Sequence, residues 1–182
     1  LVLELLLLIS FTDQGESKIA TNENMLKLFI DGFFIYKDDD FLAYGFSLLL
    51  SNLIYSNNQT KIFLLNESIL DLFYEIHAKF PTKVKLTLSI LQNIALLASI
   101  ENIGNYSENF KKIYIIIEYG LKQRDNYSLF YHIFNALYNF NESDELSLFL
   151  INQNYHKEIF NILSNLDNFI INDNEKNEIR GY

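Results

Sequence analysis

Ser17–Phe29 reads SKIATNENMLKLF, and Thr60–Phe73 reads TKIFLLNESILDLF. Both open on a hydroxyl, Lys and Ile, pass through Asn-Glu, and close on Leu, a charge, Leu and Phe. They start 43 residues apart. Self-similarity at a fixed period between about 20 and 50 residues is the mark of a stacked array, and the period continues along the chain. SLLLSNLIYS, SILQNIALLA and YHIFNALYNF each set an asparagine in the middle of an apolar helical run: Asn52, Asn93 and Asn135, separated by 41 and 42 residues. Ser10, in ELLLLISF, lies 42 residues before Asn52.

The text between these stretches recurs as well. A short polar-led segment is followed by a turn, a helix of about twelve residues and a charged or prolyl break, and then a longer helix that ends in the next Asn-bearing run. Long helices are predicted over 39–56, 83–99 and 125–140, with 1–11 as the tail of an earlier one. Asp38, Asp39 and Asp40 place acid at a helix start, where carboxylates cap free N–H groups and suit the dipole. Pro81 is expected in a first turn, where its missing donor does no harm, and Asp125 stands at the equivalent break.

A short, a medium and a long helix every 40-odd residues, the long one ending in Leu50–Leu53, Leu91–Ile94 or Ile133–Ala136, resembles the armadillo repeat. The resemblance covers essentially the whole chain. It implies an all-α, right-handed α-solenoid of about four three-helix units: 1–37, 38–80, 81–124, 125–166 and an incomplete 167–182. HEAT repeats, with two helices per unit, are the nearest alternative. Opening on Leu1 and closing partway through a unit, the chain is expected to continue as further repeats at both ends, since terminal repeats normally carry a polar cap.

In that family the third helices line a concave groove, and an asparagine at this position often bonds the backbone of an extended peptide. The resemblance therefore implies a peptide- or partner-binding set of Asn52, Asn93 and Asn135. Residues one turn either side share the helix face: Leu48 and Ser56, Ser89 and Leu97, Tyr131 and Asn139. The amides are expected at the groove, outside the core. A second reading stays open, in which they only shape the joint between repeats. Nuclear-import adaptors of the family usually carry Trp one turn before the asparagine, making slots for Lys and Arg stems by cation–π contact. Here Leu48, Ser89 and Tyr131 stand there, and the chain has no Trp. Lys83 and Lys85 on a lining helix would also repel a basic peptide.

Composition sets the outer limits. The 182 residues are 49% hydrophobic, enough for a sizeable core. A net charge of −9 argues against partners built on phosphate, which call for Lys and Arg. No cysteine is present, which rules out disulfides, thiolate metal sites and a cysteine nucleophile. LVLELLLLIS is too short to span a bilayer, which takes roughly 20 residues, and it lacks the basic flank of a signal peptide. Six glycines and one proline leave no Gly-rich phosphate loop.

Other candidates are weaker. His77, His132 and His156 are few and scattered for a metal site, and the Asp38–Asp40 run reads as a solvated helix start. Phe33, Phe34, Phe46, Phe73 and Phe134 fall at helical spacing and read as inter-repeat core. Asn-x-Ser/Thr triplets begin at Asn58, Asn66, Asn105, Asn126 and Asn141, where turns and helix starts favour both residue types. The expectation is a non-enzymatic interaction module without cofactor, cytoplasmic, binding a protein or extended peptide, with no nucleic acid and no membrane insertion. A nuclear-import adaptor and a scaffold for cytoskeletal or membrane-associated assemblies are the alternatives.

Overall fold

The computed structural model describes residues 2–55, 57–122 and 127–164, and all regular structure among them is helical. After α1 (Val2–Ser10) comes a short, a medium and a long helix: α2 (Asp13–Ala20), α3 (Glu23–Tyr36) and α4 (Asp40–Ile54). The order repeats in α5 (Asn58–Asn66), α6 (Ile69–Lys79) and α7 (Val84–Ala98). It repeats again in α8 (Ser107–Lys112), led by a tight turn over Ile103–Tyr106, then α9 (Tyr114–Lys122) and α10 (Tyr127–Phe140). The described residues end with α11 (Asp144–Asn152) and α12 (Tyr155–Ser164).

The starts are written in short polar side chains. Thr12, Asn22, Asp39, Asn57 and Ser143 each accept a backbone N–H from the first turn of the helix that follows, which satisfies donors the helix leaves free. Two breaks use another device. Ser68 and Asn154, before α6 and α12, sit at φ of 59° and 61°, the left-handed region that asparagine tolerates better than most residues. Pro81 lies in the turn before α7 and not in a helix first turn, where it is expected from sequence, because the N-cap falls two residues later at Lys83, which makes no side-chain cap bond.

The long helices pack on one another in chain order, α1 on α4, α4 on α7 and α7 on α10. Bonds between neighbouring units have the same long separation. Thr60 Oγ1 donates to the Ala20 carbonyl at 3.0 Å, and Tyr155 Oη to the Tyr114 carbonyl at 3.1 Å. Lys79 pairs with Asp38 and Lys83 with Asp40, both at 2.6 Å, and Lys112 with Asp71 at 2.9 Å; Lys37 pairs with Glu75. These pairs are exposed and contribute little each. Apolar burial supplies the cohesion. Phe33, Phe73, Phe110, Phe130 and Phe140 are fully enclosed, Phe134 is buried, and Phe34 and Phe46 are half-buried against the same core.

One glycine is fixed by proximity. A Cβ on Gly120 of α9 would stand 2.3 Å from Ile133 Cδ1 and 3.2 Å from Leu91 Cδ1, on α10 and α7. Gly120→Val is expected to destabilise by about 1–3 kcal/mol through overpacking, despite valine's lower backbone freedom in the unfolded chain. Chemical denaturation checks it, and an unchanged midpoint would mean that α9 does not press on α10.

Candidate functional site

The spacing of the asparagines and the spacing of the helices that carry them differ. α4 starts at Asp40 and α7 at Val84, a step of 44 residues, and the described part of α10 opens at Tyr127, 43 further on, against 41 and 42 between the asparagines. Asn52 is thus the thirteenth residue of its helix, Asn93 the tenth and Asn135 the ninth. A slip of one residue turns a side chain by about 100° around a helix axis of 3.6 residues per turn.

Burial follows position in the helix. The tenth residues, Leu49, Asn93 and Ala136, are 1%, 0% and 0% exposed. The fifth residues, Tyr44, Leu88 and Tyr131, are half-buried, and so are the ninth, Leu48, Gln92 and Asn135, and the thirteenth, Asn52, Leu96 and Asn139. Spaced four apart, these three rows form one face of each long helix. The face is bounded at the helix ends by exposed Phe41, Tyr55 and Tyr138.

Of the nine residues expected from sequence, the structure brings Leu48, Asn52, Tyr131, Asn135 and Asn139 to this face. The expectation that the amides stand outside the core fails at Asn93. Ser89 and Leu97, at 2% and 0% exposed, are closed off with it. Ser56 lies outside the described residues. Tyr44, Leu88, Gln92 and Leu96 belong to the face and were missed. Counting from helix starts, rather than between asparagines, is the signal that finds them.

Asn93 is committed to its neighbours. Its Nδ2 donates to the Ser47 carbonyl at 2.8 Å, to Ser47 Oγ at 3.0 Å and to the Ser89 carbonyl at 2.9 Å. Ser89 Oγ donates to Ser47 Oγ at 2.9 Å. Oδ1 of Asn93 is buried without a hydrogen-bond partner. Asn52 Nδ2 reaches Ser10 Oγ at 2.9 Å, and Asn139 Nδ2 approaches the Ala95 carbonyl at 3.5 Å. Asn52, Asn93 and Asn139 therefore bridge successive long helices, while Asn135 Oδ1 accepts from Asn139 Nδ2 at 3.4 Å within α10. Gln92 makes no side-chain hydrogen bond to the described residues, so its donors and acceptor stay free for a ligand.

The other polar groups have local work. Asp39 caps α4, while Lys79 and Lys83 hold Asp38 and Asp40 below the usual carboxylate range by hydrogen bonding. The Asp38–Asp40 run is thereby occupied. Among the described residues no three His, Asp or Glu side chains converge as a metal site. Burial lowers the pKa of His77, whose Nδ1 lies 3.3 Å from Thr87 Oγ1, and pushes His132 down to about 4. Buried Lys61 puts Nζ 2.8 Å from Ser99 Oγ, a pairing known from Ser–Lys nucleophiles. Here the Ser99 hydroxyl donates to the Leu96 carbonyl at 2.9 Å, not to the amine. Burial lowers the Lys61 pKa, and the dipole at the C-terminus of α7 opposes that by favouring the ammonium. The pair caps a helix end.

Compared with family models, curated proteins and solved structures, the chain gives no match. Among the described residues no helix is long and apolar enough to cross a membrane.

Proposed function

We propose that the chain is a protein-interaction module of armadillo type, whose binding side is the face formed by the fifth, ninth and thirteenth residues of α4, α7 and α10. The observation that supports it most is the repetition of these three half-open rows in three successive helices, while the adjoining tenth row is closed. None of the nine side chains is ionisable below the phenol range. Leucine and tyrosine supply contact area, and Gln92 and Asn135 supply amides that serve a peptide backbone in place of a β-strand partner. A face without carboxylates favours a weakly charged extended peptide over a Lys/Arg-rich one. On this reading the amides have two duties: Asn93 holds the joint, and Gln92 with Asn135 holds the ligand.

Selection from a random display library of extended peptides, followed by calorimetry on the winners, tests the proposal. Each lost amide contact is worth about 1 kcal/mol, so Gln92→Ala with Asn135→Ala is expected to weaken binding at least about tenfold. Thermal stability of the double variant should stay close to the parent. Winners that bind the double variant as tightly as the parent, or a library that yields none, would refute the proposal.

A further inference from the structure

At one end of the open face a cleft of about 380 Å³ runs between the starts of α4 and α7. Phe41, Tyr44, Val84 and Leu86 line it, with Thr82, Asp40, Lys83 and Lys85. Phe41 is 73% exposed and Val84 38%, more apolar surface than a helix start needs to leave in water. The two lysines differ. Lys83 is neutralised by Asp40 at 2.6 Å. Lys85, also exposed, makes no ion pair with the described residues. In a chain of net charge −9, one uncompensated ammonium beside an apolar aromatic cleft is a local reversal of sign.

We propose that this cleft receives the C-terminus of a partner peptide ending in an aromatic residue. The side chain lies against Phe41, Tyr44 and Val84, and the free carboxylate faces Lys85. This deepens the reading above and rests on it, since the rest of the peptide would run along the open face. Charge complementarity selects the occupant. A single free cation calls for one anion, and the Lys85 ammonium repels a basic group. A peptide C-terminus carries its carboxylate and its last side chain on the same Cα. Both contacts then require ordering of one residue, which keeps the entropic cost of capture low. An internal Asp beside Phe would need two residues fixed.

Three acetylated peptides test this by amide chemical-shift titration of the protein at low salt: Ac-Gly-Ala-Phe with a free carboxylate, its C-terminal amide, and amidated Ac-Ala-Asp-Phe. The free acid is expected to shift the resonances of Tyr44, Val84 and Leu86, and to bind about fivefold more tightly than the amide. Lys85→Met keeps the apolar stem at an exposed site and should erase that preference, and 0.5 M salt should weaken it through screening. Equal binding of acid and amide overturns the proposal, and so does an Asp-Phe peptide that matches the free acid. Shifts confined to other residues overturn it too. The Gln92→Ala/Asn135→Ala comparison reads the open face without using Lys85, so failure of one idea is visible apart from the other.

Discussion

Asn93→Asp is expected to cost about 3–5 kcal/mol of stability at neutral pH, although it exchanges one NH₂ for one oxygen. The amide nitrogen donates to the Ser47 and Ser89 carbonyls and to the Ser47 hydroxyl, in a site without solvent contact. A carboxylate there would set oxygen lone pairs against two carbonyl oxygens, with no cation at hand. Only the Ser47 and Ser89 hydroxyls could turn to serve it. The new Asp is driven to stay protonated, with a folded pKa raised above its unfolded value of about 3.9. A raised folded pKa means that the variant is least harmed below the unfolded value and loses stability as pH rises through the folded one. Urea melts should therefore find the gap between Asn93→Asp and the parent narrowing on acidification.

Asn93→Leu is the informative partner. It removes the three donated bonds together with the orphaned Oδ1, and the Ser47 and Ser89 carbonyls keep their positions inside helices. Its expected cost is about 1–2 kcal/mol, well short of the Asp variant. If Asp and Leu cost the same, the loss is one of packing and the polar bridge between α4 and α7 has no special weight. An Asp variant as stable as the parent would mean that position 93 is wet and belongs to the open face after all.

The same residue shows what the sequence could tell. The order of short, medium and long helices is legible because apolar spacing and capping side chains are local: Asn22, Asp39, Asn57 and Ser143 all cap the helices they precede. The long helices fall at Asp40–Ile54, Val84–Ala98 and Tyr127–Phe140, inside the ranges expected from sequence. The phase of each helix about its axis is a different kind of information. It depends on where the helix starts relative to its neighbour, and hence on turn length. Asn52 and Asn93 read as equivalents in the linear text, yet three positions separate them in their helices. Gln92, a ninth residue, occupies the site that spacing between asparagines assigned to Asn93. The Ser89–Ser47–Asn93 cluster was equally hidden, because it joins residues 42 and 46 apart that meet only when α7 lies on α4.

Acid is expected to destabilise the fold well above the pH at which carboxylates protonate, and His132 carries most of the effect. Burial lowers its pKa to about 4, against roughly 6.5 in the unfolded chain. His77, 4% exposed and edge-on to Tyr119 at 5.0 Å, is lowered for the same reason. Both shifts favour the neutral ring in the folded protein. The unfolded state takes up protons first, so stability is complete above pH 6.5 and falls as pH drops toward 4. At 1.36 kcal/mol per pKa unit, His132 alone accounts for up to about 3 kcal/mol across that window. Asp38, Asp40 and Glu145 have lowered pKa values through their lysine partners and lose their contribution only as pH falls below the unfolded carboxylate range. The two windows are thus separable. Unfolding free energies at pH 7.5, 6, 5 and 4.5 should fall steadily in the parent, and His132→Gln should remove a large part of the slope above pH 4.5. A flat profile between pH 7 and 5, or a slope unchanged in His132→Gln, would show that the ring is hydrated at the α10 surface and free to charge.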